Sequence, residues 1–266
     1  MAKVVLITGV SSGLGKHIAA YLVAKGFNVY GTSRRNIESA DGMTVLNMDV
    51  TDPVSIQKAV GILLEKEGRI DALVNNAGMG LSGAIEDYSD EEAHREMETN
   101  FYGTFYTTRA VLPAMRQQKS GTIINISSLG GLMGLPFQGF YSASKFAIIG
   151  LSEALRMELK QFNIKVVNVN PGDHQTQFTA NRKIIAKAAN SPYAQQLQKT
   201  ISIIEKDEHS GLLPIAVAKK IYSILKKKNP RTGYVVSSFE QKLTPPIKAI
   251  LPGSWFSKIL EGHYGI

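Results

Sequence analysis

Short apolar runs rich in β-branched residues alternate with longer segments of helical periodicity along the first 170 residues of the chain. The apolar runs are predicted strands: Val4–Thr8, Asn28–Thr32, Met43–Met48, Ala72–Asn75, Thr122–Ser127 and Lys165–Asn170. The segments between them are predicted helices: His17–Lys25, Val54–Glu67, Glu91–Gln118 (extending or breaking around Gly103) and Ser142–Gln161. Because this alternation is typical of a parallel sheet covered on both faces, the sequence predicts an α/β fold with a single doubly wound sheet. Ligands of such sheets bind at the carboxyl ends of the strands.

The chain beyond Asn170 has a looser pattern. Residues 173–212 are polar and mixed, which predicts a mobile substrate loop with some helix. Pro214–Lys228 is a predicted helix and Gly233–Ser237 a predicted edge strand. Residues 243–266 form a C-terminal extension in which no continuous amphipathic helix is evident. We interpret residues 1–266 as one domain, since a chain of this length fits a single α/β unit.

The amino-acid composition indicates the cellular compartment and excludes some classes of binding site. The chain is 44% hydrophobic and 20% charged, which is ordinary for a globular protein. It has no cysteine, so disulfides and thiolate metal sites are excluded and a cytoplasmic location is expected. The five histidines lack metal-ligand spacing, so no metal is expected. The chain enters an apolar strand directly, which leaves no room for a signal peptide, and no apolar stretch is long enough to span a bilayer.

Charge is unevenly distributed along the chain, whose net charge is +8. Residues 1–180 carry 16 Lys and Arg against 17 Asp and Glu, whereas residues 181–266 carry 14 against 5. The excess in the C-terminal third is interpreted as a solvated surface, with an anionic carrier or membrane surface as the alternative. For the tail itself, packing on a neighbouring subunit or over the pocket is favoured over membrane binding. No basic stripe interleaved with aromatic residues indicates a nucleic-acid partner.

A glycine-rich turn follows the first predicted strand and opens the first helix. Glycines let a chain turn tightly and approach a pyrophosphate, to which a helix N-terminus offers unpaired N–H groups. The sequence therefore predicts a dinucleotide site that includes Gly9, Ser11, Ser12, Gly13, Leu14 and Gly15.

The end of the second predicted strand indicates which dinucleotide binds. Folds that choose NAD usually place an acid there for the ribose hydroxyls, but the first acid in this stretch is Glu38. Ser33, Arg34 and Arg35 stand instead where a 2′-phosphate would lie, and a guanidinium fork suits a phosphate. The predicted cofactor is NADP, with a solvated arginine pair as the alternative. Asp49 and Val50, at the end of the third strand, are predicted to receive the adenine. The end of the fourth strand is predicted to contact the cofactor through Asn76, Ala77 and Gly78, with simple turn chemistry as the alternative.

Tyr141 and Lys145 lie at i and i+4 of a predicted helix, so their side chains share a face. An ammonium beside a phenol is expected to lower its pKa towards neutrality, where general acid–base catalysis is most effective. Such a pair alone is usually an exposed helix pair. The presence of Ser128 and Asn100 in the same sequence favours a proton-transfer site here. The acidic run at residues 90–92, with Glu96 and Glu98, is interpreted as a solvated helix start.

With these motifs in order, residues 3–180 resemble the short-chain dehydrogenase/reductase family, whose fold is of the Rossmann type. The stretch from Gly130 to Ala147 is most similar to hydroxysteroid and retinol dehydrogenases. The resemblance implies that Tyr141 is the acid/base, that Lys145 tunes it and binds the nicotinamide ribose, and that Ser128 polarises the carbonyl. It also implies that Asn100 holds a water in the proton relay. The nicotinamide carboxamide is expected to be bound by the segment that contains Pro171, Gly172 and Thr176. His174 departs from the family's pattern and is interpreted as a loop histidine without a catalytic role.

The predicted function is NADP-dependent hydride transfer to or from a fairly apolar steroid-, retinoid- or similar ketone or alcohol. Candidate pocket residues, with core packing as the alternative, are Leu129, Met133, Phe137 and Gln138. A β-ketoacyl carrier-protein reductase is an alternative enzyme, and a catalytically idle NADP sensor or scaffold is an alternative of another class. The family resemblance also implies a homo-oligomer assembled through the helices at 91–118 and 142–161.

Overall fold

The structure, a computed structural model, describes residues 2–35, 37–39, 42–176 and 182–266. Within these ranges the central sheet has seven parallel strands in the order β3-β2-β1-β4-β6-β7-β9. The strands of this sheet are β1 (Val4–Thr8), β2 (Asn28–Ser33), β3 (Met43–Asn47), β4 (Ala72–Asn75), β6 (Gly121–Ile126), β7 (Ile164–Pro171) and β9 (Gly233–Val236). A separate parallel pair joins β5 (Leu81–Ser82) to β8 (Lys183–Ile184). The chain reverses its winding direction between β1 and β4, which is where ligands of such sheets bind.

The helices cover both faces of the sheet. They are α1 (Gly13–Ala24), α2 (Pro53–Glu67), α3 (Asp90–Met97), α4 (Gly103–Gln118), α5 (Gly139–Glu158), α6 (Ala194–Ser210), α7 (Ile215–Lys226), α8 (Phe239–Ile250) and α9 (Gly253–Tyr264). On one face Ile18 of α1 and Ile221 of α7 pack on the strands, and on the other Leu63 of α2 and Met115 of α4 do so. The predicted doubly wound α/β fold is therefore confirmed.

The long helix predicted over 91–118 is divided by a π-helical turn, Glu98–Tyr102. Asn100 lies in this turn, and its side chain bonds to both backbone groups of Met79, which anchors the turn to the segment after β4. Gly103 then starts α4 close against Val50, where a Cβ would lie 2.8 Å from the Val50 Cγ2. Single π turns inside helices occur frequently at functional sites.

Helix α6 supplies the helical content predicted for the substrate region 173–212. Its Leu197 and Ile201 are buried in a small apolar cluster with Leu81 and Ile185, on the outside of the main sheet. Residues 177–181 of this region lie outside the described part of the chain. The structure therefore places α6 as a cover over the β5–β8 pair, beside the carboxyl ends of the central strands.

The tail contains two helices, which the sequence did not predict. Ser238 caps α8 by accepting a hydrogen bond from the Gln241 N–H at 3.3 Å, and the helix continues through Pro245 and Pro246. Each proline removes one backbone donor. The donor missing at Pro246 would have paired with the Lys242 carbonyl, and Lys242 is exposed, so this carbonyl can be hydrated. Pro252 separates α8 from α9. Across the described ranges no helix is long and apolar enough to cross a membrane.

Candidate active site

The glycine-rich turn after β1 is held by two neighbouring strands. The N–H groups of Gly9 and Val10 both donate to the Thr32 carbonyl, at 3.1 and 3.0 Å. Gly9 has φ +72°, in the left-handed region that favours glycine. A Cβ on Gly15 would lie 2.1 Å from the Gly9 carbonyl oxygen, so only glycine fits there. This close backbone approach leaves a concave turn that a pyrophosphate fits.

Asn76 and Ala77 support this turn from β4. The Asn76 side chain donates to the carbonyls of Thr8 and Gly9 at 2.9 and 3.0 Å. The N–H groups of Asn76 and Ala77 both donate to the Thr8 hydroxyl, each at 2.9 Å. Their protein contacts therefore shape the cofactor turn, and direct contact with the cofactor stays a prediction.

The N-terminus of α1 is open to an anion. Ser12 caps the helix without a side-chain hydrogen bond, and the first turn carries no acidic residue. Ser11, Gly13 and Leu14 are all partly exposed around it. Because the first N–H groups of a helix are unpaired and its dipole end is positive, this terminus fits a phosphate group.

Two arginines lie in solvent where β2 ends. The Arg34 side chain is 72% exposed and its guanidinium reaches only to 4.0 Å from the Asp49 carboxylate. The buried Ser33 hydroxyl accepts from the Arg35 N–H at 3.0 Å, which fixes the backbone of the pair. Both guanidiniums are therefore available to a phosphate at this edge. Val50, in contrast, buries its side chain in the core against Gly103, so only its backbone can face an adenine.

Tyr141, Lys145 and Ser128 converge at the carboxyl end of β6. Lys145 is buried in α5, and its ammonium donates to the Ile126 carbonyl at 3.0 Å and lies 5.7 Å from the centre of the Tyr141 ring. The Ser128 hydroxyl hydrogen-bonds to the Tyr141 phenol. Gly78 closes the other side, since a Cβ there would lie 3.5 Å from the Lys145 ammonium. The sequence-predicted triad is thus brought together beside the turn that follows β4.

The ionisation of the triad differs from the expectation. Burial raises the pKa of Tyr141 to about 12, and the Ser128 hydrogen bond offsets only part of this effect. Burial also lowers the pKa of Lys145 to about 8, against the charge of Glu96, which raises it. The phenol pKa is therefore not lowered towards neutrality as predicted, because burial dominates it, and the Lys145 ammonium donates to the Ile126 carbonyl.

Asn100 braces the site from the π turn. Its amide donates to the Met79 carbonyl at 2.9 Å and the Ser144 hydroxyl at 3.0 Å, and its oxygen accepts from the Met79 N–H at 2.8 Å. These bonds use both side-chain N–H groups, so the side chain positions α5 against the segment after β4. The implied water-holding role stays a prediction.

Glu96 corrects the interpretation of the acidic run as solvated. The side chain is fully buried, and one carboxylate oxygen accepts from the Leu81 N–H at 3.0 Å. Its other oxygen has no hydrogen-bond partner within the described residues. Burial raises the pKa of Glu96 to about 7, while Lys145 and Arg95 lower it. The helix turns this one acid inward, towards the triad, while Glu91 stays exposed.

We predict that Glu96→Gln moves the alkaline limb of kcat/KM for carbonyl reduction to lower pH. Reduction should fall as pH rises through about 8, where Lys145 loses its proton in the free enzyme. The ionised Glu96 carboxylate raises the Lys145 pKa, so removing its charge lowers that pKa and shifts the alkaline limb to lower pH. We expect a shift of about one pH unit, which is the small end of the range for a neighbouring opposite charge. Rate profiles over pH test this, with Glu91→Gln as the control. An unshifted limb in Glu96→Gln would contradict the coupling.

A tail residue holds the predicted nicotinamide segment. The Gln241 side chain of α8 accepts from the Asp173 N–H at 3.2 Å and donates to the Asp173 carboxylate. A Cβ on Gly172 would lie 2.2 Å from the Gln241 oxygen, so the α8 side chain packs directly on the backbone after Pro171. Thr176 follows at the end of this described range. Nothing in the sequence around Gln241 signals this contact, because it joins residues 68 positions apart.

His174 is folded back into the protein. It is buried, and its Nδ1 hydrogen-bonds with the Gly172 carbonyl at 2.9 Å. Burial lowers the pKa of this imidazole, with the Gly172 bond opposing the effect. It therefore shapes the backbone of the nicotinamide segment, and the absence of a catalytic role for it stays a prediction.

The predicted pocket residues divide into two groups. Met133 and Gln138 are buried, whereas Leu129 and Phe137 are partly exposed. Phe137 has φ +57°, a conformation that a bulky residue rarely adopts, and its carbonyl accepts from the Gly83 N–H at 2.9 Å. Strain of this kind clusters at ligand sites. Burial favours packing for the Met133 and Gln138 side chains, and a pocket role for Leu129 and Phe137 stays a prediction.

A buried ion pair, missed at the level of sequence, adds charge near the phenol. Arg182 and Glu208 approach to 2.5 Å, and their side chains are 4% and 11% exposed. Both charges act on the pKa of Tyr141, Glu208 raising it and Arg182 lowering it. Arg182 and Glu208 lie in the polar region 173–212, where a buried pair has no periodic signal. The Tyr141 phenol therefore lies within the electrostatic influence of a buried ion pair.

Comparison with known proteins agrees with this arrangement. A family model described as short chain dehydrogenase matches residues 3–184. The chain is 44% identical, over 99% of its length and 98% of the relative, to a protein from Bacteroides thetaiotaomicron named 3-ketodihydrosphingosine reductase. A solved short-chain dehydrogenase from Streptomyces avermitilis is 32% identical with a TM-score of 0.83, covering 98% of this chain and 99% of that one. A structure of ElxO with NADP bound is 27% identical with a TM-score of 0.73, covering 89% and 97%.

The matched range contains the glycine-rich turn and all three members of the triad, which are the motifs that carried the resemblance. The family relationship explains why the glycine-rich turn and the proton donor Tyr141 lie together at the carboxyl ends of the central strands. This chain belongs to the short-chain dehydrogenase/reductase family and is an oxidoreductase.

Proposed function

We propose that the chain is an NADPH-dependent reductase of a long-chain ketone whose polar head lies close to the carbonyl. The observation that carries this proposal is the Ser128–Tyr141 hydrogen bond beside the buried Lys145, with the Arg182–Glu208 pair acting on the same phenol. The name of the Bacteroides relative, 3-ketodihydrosphingosine reductase, supports a sphingoid ketone as the substrate.

The residues of the chain act on the carbonyl oxygen. The nicotinamide, when bound, supplies the hydride to the carbonyl carbon. Ser128 and Tyr141 donate hydrogen bonds to the oxygen, where negative charge develops, as an oxyanion hole does. Tyr141 then gives its proton to that oxygen, and Lys145 stabilises the phenolate that is left. A pKa of about 12 keeps the phenol protonated at neutral pH, which favours the acid role and hence reduction.

The groups around the triad support an amphiphilic substrate. The buried Arg182–Glu208 pair can accept and donate hydrogen bonds to hydroxyl or amino groups beside a carbonyl. Burial raises the pKa of Asp173 to about 6, against the Gln241 bond, so this carboxylate is also withdrawn from water. Leu129 and Phe137 offer apolar surface to a chain. The Nη1 atom of Arg182 has no hydrogen-bond partner within the described residues, and a purely apolar steroid would leave it without one, which costs binding energy.

Consumption of NADPH with a panel of ketones tests the substrate. We compare 3-ketodihydrosphingosine, an acetoacetyl carrier-protein thioester and a steroid ketone, with Tyr141→Phe as the inactive control. A preference for the sphingoid ketone supports the proposal. A preference for the thioester indicates a β-ketoacyl carrier-protein reductase, and a preference for the steroid ketone contradicts a polar-headed substrate. NADPH binding without turnover of any ketone indicates the sensor or scaffold function.

Cofactor choice is predicted from the two arginines. NADPH should bind at least about tenfold tighter than NADH, since one charge-assisted bond to a phosphate contributes roughly 1.5–3 kcal/mol. The double variant Arg34→Ser/Arg35→Ser should lose most of that preference while NADH affinity stays unchanged. Arg231→Ser is the control, because it removes an exposed guanidinium that precedes β9, at the opposite edge of the sheet. Calorimetry that gives equal affinities for NADPH and NADH in the unmodified chain would contradict the assignment.

We further propose that the chain forms a homo-oligomer through α4 and α5 and works in the cytoplasm. Tyr102 beside α4, and Phe146 and Met157 on α5, are exposed apolar residues that support such an interface.

A further inference from the structure

Helix α8 carries a stripe of large apolar side chains on its solvent side. Phe239, Leu243, Ile247 and Ile250 follow one another at intervals of four, four and three residues, which places them within about 80° around the helix axis. Their exposed fractions are 76, 42, 40 and 81%. No other helix of the described chain presents four exposed large apolar residues in this register.

The inward side of α8 is polar. Gln241 faces the protein and bonds to Asp173, and the Lys248 ammonium donates to the Leu132 carbonyl at 2.6 Å. No residue of α8 is buried. A surface helix of a globular protein normally turns its apolar face to the core and its polar face to water. α8 has the reverse arrangement, so its apolar stripe does not stabilise the fold of the single chain.

Helix α9, which follows α8 directly, also exposes large apolar side chains. Phe256 is buried and anchors this helix, whereas Trp255 and Ile259, one turn apart, are 64% and 52% exposed. The lysines Lys242 and Lys258 are exposed on the same two helices, together with Glu240 and Glu261, so the two helices carry both signs of charge. We define the tail face as Phe239, Leu243, Ile247, Ile250, Trp255 and Ile259. Tryptophan and lysine beside an apolar surface are the residues that anchor a protein in the headgroup region of a bilayer.

We infer that the tail face docks on the surface of an anionic lipid bilayer. The helix lies in the plane of the interface with its apolar stripe in the acyl boundary, as interfacial helices do. The positive charge comes from the C-terminal third as a whole, where residues 181–266 carry 14 Lys and Arg against 5 Asp and Glu, and it attracts this part of the chain to anionic lipid. Membrane binding was not favoured at the level of sequence because no amphipathic helix was evident. The observed helices remove that objection.

Docking would also place the candidate site next to lipid. The inner side of α8 contacts Asp173 and Leu132, which flank the nicotinamide segment and the chain after Ser128. A helix is about 10 Å across, so only that thickness would separate the site from the bilayer. A substrate with a long apolar chain could then pass between bilayer and site without crossing water.

Vesicle sedimentation tests the inference with the full chain and needs no substrate. The unmodified protein should bind vesicles of phosphatidylcholine with about 30% phosphatidylglycerol, a composition that represents a moderately anionic leaflet. This binding should weaken as the salt concentration rises. Phe239→Ser/Ile250→Ser should lower the partition coefficient at least about tenfold, because apolar area drives interfacial binding. Lys242→Gln/Lys258→Gln should weaken binding to anionic vesicles only.

The control is Val54→Ser/Ile62→Ser, which removes two exposed apolar side chains from α2, away from the tail face. Thermal unfolding and NADPH binding should be unchanged in every variant. Absence of vesicle binding by the unmodified chain, or equal loss in the α2 control, would overturn the inference. Sizing chromatography covers the other occupant of the tail face. If Phe239→Ser/Ile250→Ser changes the oligomeric state and leaves vesicle binding unaffected, the tail face binds a second copy of the chain, and the inference is equally overturned.

Discussion

Replacing Tyr141 with phenylalanine is expected to lower kcat for ketone reduction by at least about a hundredfold, the usual contribution of a positioned proton donor. The variant keeps the ring and its packing and removes only the hydroxyl that bonds to Ser128. NADPH affinity should stay within about twofold of the unmodified enzyme, because the phenol acts on the carbonyl. Single-turnover kinetics with 3-ketodihydrosphingosine, together with NADPH titration, measures both quantities.

A matched substitution distinguishes the loss of proton transfer by Tyr141 from the general effect of removing a buried hydroxyl. Tyr30→Phe removes a phenol that is also buried and donates to Glu67 at 2.6 Å, far from the triad. It should cost stability, about 1–2 kcal/mol for a lost hydrogen bond, with kcat unchanged. Lys145→Ala should instead reduce both kcat and NADPH affinity. Near-normal turnover in Tyr141→Phe would show that another group delivers the proton.

The sheet was predictable from sequence because its strands are buried on both faces. Strands β1 and β4 are apolar except for the polar residue that ends each of them, Thr8 and Asn75, and they start and end where the sequence predicted. The first helix begins four residues before its predicted start, because its opening turn contains Gly13 and Gly15. Glycine has poor helix propensity, so the sequence pattern favours a loop where the turn geometry imposes a helix.

The triad was predictable for a different reason, which is that its members are close in sequence. Tyr141 and Lys145 are neighbours on one helix, and Ser128 lies two residues after the preceding strand, so local spacing already brings them together. Glu96 shows the limit of this approach. A carboxylate in an acidic run is normally solvated, and only the tertiary contact with Leu81 shows that this one is buried.

Contacts between distant segments are what the sequence could not provide. Gln241 meets Asp173 across 68 positions, and Arg182 meets Glu208 within a region that has no periodic pattern. The tail helices were missed because Pro245 and Pro246 normally end a helix. In the structure α8 has a serine cap and bonds to two loops, which compensate for the missing donors. The ionisation of Tyr141 also depended on burial that no local pattern reports.

Gly15→Ala is expected to weaken NADPH binding at least about a hundredfold, equivalent to roughly 2.7 kcal/mol. The added Cβ would lie 2.1 Å from the Gly9 carbonyl oxygen and 2.4 Å from the Asn76 amide nitrogen. Neither atom can move freely, because both belong to the hydrogen-bonded connection between the glycine-rich turn and β4. The turn must therefore open, which displaces the N–H groups that face the pyrophosphate.

Gly61→Ala is the matched control for this prediction, since it adds the same methyl group to a helix where nothing lies within 4 Å. It should leave NADPH affinity unchanged and stabilise the fold by about 0.5–1 kcal/mol, the helix preference of alanine over glycine. Gly15→Ala should lower stability by about 1–3 kcal/mol, as overpacking does, and remain folded. Fluorescence titration with NADPH and denaturant unfolding distinguish the two effects. Tight NADPH binding by a folded Gly15→Ala would show that the cofactor does not depend on this close backbone approach, and the nucleotide site would have to be reassigned.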